Sequence, residues 1–390
     1  MKRTAAVLCW LLMAVGSGAL AAAPPIQVTT LRVPEGGIQP QVAVDEQQRV
    51  HLVYFSGSPR AGDLFYVVAA ADGKFSAPLR VNSQAGSAIA VGNIRGAHLA
   101  LGRGGRPIVA WMGSDSAKPK APGDANPMLV ARLADEGSAF EPQQNVITAH
   151  AGLDGGGSVA ADGRGNVYVV WHGYGDGSQD EADRQVWVAV SSDEGRTFLP
   201  EVAATTGKTG ACACCGLKAA VNGGGKLAIL YRTASENVHR DMVLLTAPGA
   251  LSKKPPIHQS TPVQPWEIGH CVMSSAALAP ARNGLIGAWE TEEQVYFAAI
   301  DESGKLGQPV SAPGKAAKRK HPAVAVNARG DVLLAWTESM GWEKGGAVAW
   351  QVYDAEQKPL AELKSRLDGV PVWSLVAAYA KADGSFVVVY

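Results

Sequence analysis

Apolar residues in this chain alternate with small or polar ones in short bursts, and the bursts come in pairs joined by a turn rich in Gly, Asn or Asp. The stretch GLKAAVNGGGKLAILYR shows the unit: Leu217 to Asn222 alternates, Gly223, Gly224 and Gly225 interrupt, and Lys226 to Tyr231 alternates again. A period of two puts every second side chain on one face, which predicts strands rather than helices. Glycine supplies the positive φ of a tight turn, so the unit reads as an antiparallel hairpin.

Six further segments align with it: QPQVAVDEQQRVHLVYF from Gln39, GAHLALGRGGRPIVAWM from Gly96, GGSVAADGRGNVYVVWH from Gly156, SSAALAPARNGLIGAWE from Ser274, HPAVAVNARGDVLLAWT from His321 and SLVAAYAKADGSFVVVY from Ser374. They recur about 47 to 60 residues apart, close to the span of one four-stranded propeller blade. A second pair of short alternating stretches follows each of the first six, as in Asp63 to Ala70 with Ala77 to Val81. The seventh hairpin ends at Tyr390 and lacks this second pair. An open edge templates aggregation, and the alternating N-terminal segment Ile26 to Val33 is the natural donor to close it. The expected fold is all-β: a β-propeller of four-stranded antiparallel blades, seven in preference to six, closed by the N-terminal strand. Residues 24–390 then form a single domain. Each hairpin ends on an aromatic at an equivalent place: Tyr54, Trp111, Trp171, Tyr231, Trp289, Trp336 and Tyr390. Recurrence at one repeat position points to packing between blades rather than to a ligand.

Residues 1–23 stand outside this pattern. Lys2 and Arg3 precede an apolar run from Ala5 to Val15, followed by small residues, which reads as a secretory signal peptide cleaved after Ala21 or Ala23. No later run is long enough to span a membrane. The mature chain is therefore expected in the periplasm or outside the cell, without stable membrane insertion. Thirty-five basic residues balance 35 acidic ones, which argues against nucleic acid as a partner. The local run KAAKRK, Lys315 to Lys320, reads as a solvated loop.

SSDEGRTF sets Ser191, Asp193, Gly195, Thr197 and Phe198 at the spacing S-x-D-x-G-x-T-F. This resembles the Asp-box, or bacterial neuraminidase repeat, of the sialidase superfamily. Partial copies occur at Asp72, Gly73 and Phe75, at Asp135, Gly137 and Phe140, and at Asp301 and Gly304. The resemblance implies a turn between the third and fourth strands of a blade, a mark of fold and not of activity. It further implies an arginine trio, an Asp acid/base and a Tyr nucleophile. Arg32, within Leu31-Arg32-Val33-Pro34, and Arg232, directly after Tyr231, match two of the arginines. Trp373, in Val372-Trp373-Ser374-Leu375, stands where the Tyr belongs, and neither the Asp nor a third Arg is matched. An indole cannot serve as that nucleophile.

In a propeller the loops entering each first strand, and those joining second to third strands, share one rim. That sorting collects His150, His172, His239, His270, His321, Arg184, Arg232, Arg240, Asp241 and all four cysteines outside the leader: Cys212, Cys214, Cys215 and Cys271. The three clustered cysteines precede the fourth hairpin and Cys271 precedes the fifth. Three readings stay open. An exported chain with an even cysteine count favours disulfides, such as Cys271 to Cys214 or Cys215. Thiolates with His270 or His239 would instead bind copper(I) or zinc. Redox-active thiols are the third. No other cofactor is predicted. The leading expectation is a binding module for a carbohydrate or protein ligand, with Arg32, Arg232, His239, Arg240, Asp241 and His270 on its rim and without sialidase catalysis. The alternatives are an exo-sialidase or related glycoside hydrolase, and a metal-handling periplasmic propeller.

Overall fold

The seven hairpins become seven sheets in the computed structural model, which describes residues 26–69, 73–175, 178–205, 209–247, 259–315 and 318–390. The sheets are the blades of a β-propeller. Blades 1 to 6 each hold four antiparallel strands in chain order. Their first strands are Ile38–Val44, His98–Leu101, Gly157–Ala161, Lys218–Val221, Ala277–Ala281 and Arg319–Val326. The expected leader and Asp72 lie outside the described residues. Among the described residues no helix is long and apolar enough to cross a membrane.

Blade 7 closes the ring as the open edge required, with one difference. It has three strands, and its N-terminal one, Val28–Leu31, runs parallel to Phe386–Val389, in register from Val28 opposite Phe386 to Leu31 opposite Val389. Backbone bonds continue the pairing at both ends, from Phe386 N to the Gln27 carbonyl (2.8 Å) and from Val33 N to the Tyr390 carbonyl (3.1 Å). Both sides of the seam therefore use up their donors and acceptors.

The second strand of each blade is sandwiched between neighbouring blades. Pro107–Met112, Val167–Gly173, Leu227–Arg232 and Gly284–Thr291 are consequently buried along their whole length. Burial on both faces is why these strands read as nearly continuous apolar runs. The seven repeat aromatics lie here, none more than 6% exposed, so they pack blades together. In the hairpin that defined the repeat, Gly225 adopts φ +81, and a Cβ there would come within 2.0 Å of the Arg164 guanidinium. Only glycine fits that turn.

The SSDEGRTF turn joins the third and fourth strands of blade 3, Gln185–Ser191 and Val202–Ala203. Asp193 accepts from Thr197 N (2.9 Å) and Thr197 Oγ1 (2.6 Å), while Ser191 Oγ accepts from Gly195 N (2.8 Å). The turn is also tied to the neighbouring blade: Gln144 Nε2 donates to the Gly195 carbonyl (2.9 Å), and Arg196 pairs with Asp135 (2.8 Å). The basic run is only partly the solvated loop its charge suggested: Lys315 and Lys318 are exposed, but Arg319 and Lys320 turn inward. Arg319 is buried, bonds Gln294 Oε1 (2.8 Å), pairs with Glu338 (3.2 Å) and lies over Trp336, while Lys320 donates to the Val272 carbonyl. A basic residue beside a neighbouring carboxylate and an aromatic gains more from packing inward than from water.

Candidate functional site: a buried thiol cluster

The loop entering blade 4 is fixed by its backbone before any side chain is considered. Gly210 takes φ +63, and a Cβ there would meet the Ala234 backbone at 2.7 Å. Cys212 N donates to the Arg232 carbonyl (2.9 Å), Ala213 N to Glu181 Oε1 (2.7 Å), and Gly216 N to the Ser274 carbonyl of the next blade's entry loop (3.0 Å). A bond from Cys215 N to the Cys212 carbonyl (3.1 Å) closes a tight turn. That turn folds the three cysteine side chains onto one another.

Cys212, Cys214 and Cys215 are all buried, and their sulfur atoms lie within 4.8 Å of one another. Cys212 Sγ is 3.6 Å from that of Cys214 and 2.9 Å from that of Cys215. Val272 packs against them, with Trp266, Ile268 and Met273 partly buried around the edge. Cys271 is exposed, and its thiol is a hydrogen-bonding neighbour of Cys214. All four cysteines are free thiols, so the disulfide expected between the two loops is not formed in this structure.

Charge within the cluster is uneven. Hydrogen bonding to Cys214 and Cys215, and then burial, push the Cys212 thiol well up. Burial acts to raise Cys215 too, but the hydrogen bonds from Cys212 and Cys214, the Arg232 charge and the Ser274 backbone outweigh it and bring Cys215 well below the ordinary thiol value. Of the three, Cys215 is therefore the thiol eased toward the thiolate, the nucleophilic and metal-binding form of the group.

Two arginines frame the thiols. Arg240, 4% exposed, pairs with Glu181 (2.8 Å) through Nη2, while its Nε and Nη1 are buried without partners. Arg232, 3% exposed, donates through Nη1 to the Arg240 carbonyl (2.7 Å) and through Nη2 to the Glu290 carbonyl, with the Glu290 carboxylate at 3.5 Å. Burial raises the Glu290 carboxyl to about 7, against the opposing pull of Arg232. Arg232 is thus an internal tie and presents no free guanidinium to solvent.

The other rim residues separate. Arg32 lies at blade 7, donating to the Gly369 carbonyl (2.5 Å) above the Tyr390 ring, three blades from Arg232. His270 is exposed and His239 half-buried, and Asp241 takes the Trp266 N–H (2.8 Å) to shape the loop beside Arg240. His150 stacks on Trp187 at 3.5 Å, and Arg184 lies over Tyr174. His172 and His321 are buried beneath the rim, and desolvation lowers them to about 4 and about 3, so both are neutral. Trp373 is 7% exposed, packs edge-on against Trp342, and gives its carbonyl to Gln39 Nε2 (2.7 Å).

Two contributors were not singled out in the sequence: Glu181 and Glu290. Glu290 had a usable signal. It follows Trp289 as Arg232 follows Tyr231, so the repeat register places the two side by side in adjacent blades. Glu181 had none, because its loop belongs to blade 3 and only folding carries it over the cysteines.

No protein-family model matches the chain, and no curated protein matches it. Solved structures do. An uncharacterised protein from Dyadobacter fermentans aligns with a TM-score of 0.52 at 13% identity, over 81% of this chain and 94% of its own. The α-L-arabinanase of Penicillium chrysogenum, solved with arabinobiose, gives 0.50 at 14% identity, over 83% and 94%. A Hadza microbial sialidase gives 0.48 at 14%, over 85% and 74%. Likeness at these identities is likeness of fold.

Proposed function

We propose that this chain is an exported, sialidase-like propeller that works by binding rather than by glycoside hydrolysis, and that its working element is the thiol cluster, which holds copper(I). The observation that carries this is three buried sulfur donors within 4.8 Å, supplied by one rigid turn. Thiolates select soft ions, and copper(I) is satisfied by two or three of them, whereas closed zinc sites take four donors. With metal–sulfur bonds of about 2.3 Å, ligand sulfurs sit about 3.8 Å apart, near the 3.6 Å between Cys212 and Cys214. Arg240 supports the assignment: its Nε and Nη1 are buried without partners, and its charge lies close enough to Cys212 and Cys214 to interact with sulfurs that gain charge on binding metal. Against hydrolysis, Arg232 is committed to Glu290 and Trp373 is buried where a Tyr nucleophile is needed.

The exported protein, purified under reducing conditions and titrated with copper(I) against bathocuproine disulfonate, is expected to hold one ion per chain. Cys212→Ser and Cys215→Ser are expected to abolish it. The 2.9 Å between Cys212 and Cys215 favours one rival, a redox pair, since it lies between metal-ligand spacing and a disulfide of about 2.05 Å. Quantitative oxidation of those two cysteines in the exported protein, with no copper retained, would replace the metal reading. The arabinanase's sugar suggests a saccharide on the rim, where Trp342 is 57% exposed. Arabinobiose titrated against wild type and Trp342→Ala tests that reading.

A further inference from the structure

We propose that Cys271 is the entry and exit thiol of the cluster, so that the protein exchanges copper(I) with a thiol-bearing carrier instead of storing it. This rests on the copper reading above. The geometry is three plus one. Cys212, Cys214 and Cys215 are mutually within 4.8 Å, whereas Cys271 stands outside that group, its thiol next to that of Cys214. The triad is at most 5% exposed, and Cys271 is the exposed cysteine. A carrier's sulfur does not meet Cys212 or Cys215 at the surface, because they are 0% and 1% exposed and Val272 packs against them.

The segment carrying Cys271 is built to move without disturbing the triad. Gly269, His270 and Cys271 form an exposed run, and Gly269 has nothing within 4 Å of where a Cβ would stand. Both ends are pinned. Ile268 N donates to the Val238 carbonyl (2.8 Å), and on the other side Val272 is buried with its carbonyl on Lys320, while the Ser274 carbonyl takes Gly216 N (3.0 Å). A short tethered arc can swing its thiol outward and return it to one place, beside Cys214.

Transfer is then ligand exchange with copper remaining at +1. The Cys271 thiol releases its proton to water, its sulfur bonds the incoming ion, and one carrier copper–sulfur bond breaks, that carrier sulfur taking up a proton. Cys214 next forms a bond, and its proton passes to the last carrier sulfur as that carrier bond breaks. As Cys212 and Cys215 bond as thiolates the Cys271–copper bond breaks; one thiol proton displaced from them reprotonates Cys271, and any other passes to water. Nothing is oxidised or reduced. Unloading is the reverse.

The test uses the full exported chain, Cys271→Ser, the copper(I)–glutathione complex as donor and bathocuproine disulfonate as acceptor. A relay thiol changes rates and leaves equilibrium alone: the variant is expected to keep its Kd within about twofold while loading and unloading slow by about tenfold or more. Unchanged rates overturn the proposal. A weakened Kd with faster unloading also overturns it, because Cys271 would then be a ligand of the resting site. Failure of the wild type to bind copper(I) at all overturns the copper reading itself and is distinguishable from both.

Discussion

The loop entering blade 2 and the loop entering blade 4 occupy equivalent places in the repeat, and both bury polar groups at the same rim. They do so in opposite ways. In the first, Asn82 is 1% exposed and fully used: Oδ1 accepts from Leu64 N (2.8 Å), and Nδ2 donates to Asp63 (2.7 Å), the Gln84 carbonyl (2.7 Å) and Ser87 (3.2 Å). Ser87 passes a bond to Gln143 (3.1 Å), which spends its amide on the Lys118 carbonyl (2.6 Å). This network is closed and leaves nothing to offer a ligand. In the second, three thiols face one another, and Arg240 keeps two N–H groups without partners. A buried polar network that is satisfied serves structure, and one left with soft donors and spare N–H groups is the place to look for function.

The largest effect is expected where charge is buried beside the thiols. Arg232→Met leaves Glu290 without its counter-charge and is expected to cost about 3 kcal/mol in urea unfolding, most of it recovered in the double variant with Glu290→Gln. If the double variant is no better than the single, the Arg232–Glu290 pair is not the tie described above, and the contrast between the loops weakens.

Asn82→Ala should cost about 2 kcal/mol, because it strands the buried Leu64 N–H and empties a four-bond hub, yet leave copper(I) binding unchanged. Loss of metal binding in that variant would erase the distinction between a structural and a functional loop.

The smallest effect concerns Lys218, just beyond the cysteine loop, in a channel cavity of about 100 Å³ that also exposes Gln41 and His98. Its ammonium keeps some contact with channel water but is deeply surrounded by protein, and desolvation lowers it to about 8. A lysine held below its unfolded value of 10.5 penalises folding fully below pH 8, and the penalty fades as pH rises from 8 to 10.5. Lys218→Met is therefore expected to stabilise by about 1 kcal/mol at neutral pH, with the gain gone above pH 10.5. A gain that persists there would assign it to better packing.

Much of the scaffold was legible because its causes are local. Alternation fixed the strands, glycine fixed the turn at Gly225, and the recurrence of one aromatic per hairpin announced packing between blades. Loop sorting also brought Cys271 toward Cys212, Cys214 and Cys215, since it needs only blade order. Reading Arg232 as a surface group did not survive, because the residue's neighbour in the next blade, Glu290, draws it inward. Arg319 and Lys320 misled for the same reason, while Lys315 and Lys318 are exposed as read: charge density speaks of solvent only when no carboxylate or carbonyl waits nearby.

The sequence by itself favoured seven blades over six and pointed to the closing strand and to the loops that carry the thiols, all consequences of a repeat that can be counted. Tertiary structure alone decided that the closing strand runs parallel, that Arg232 and Arg240 are buried beside the cysteines, and that Cys271 is the exposed one, next to Cys214. Those facts depend on which side chains from different blades meet within a few ångströms. Periodicity sets the face a residue occupies, but the partner across the blade boundary is set by the three-dimensional packing of blades, which no single stretch of sequence encodes.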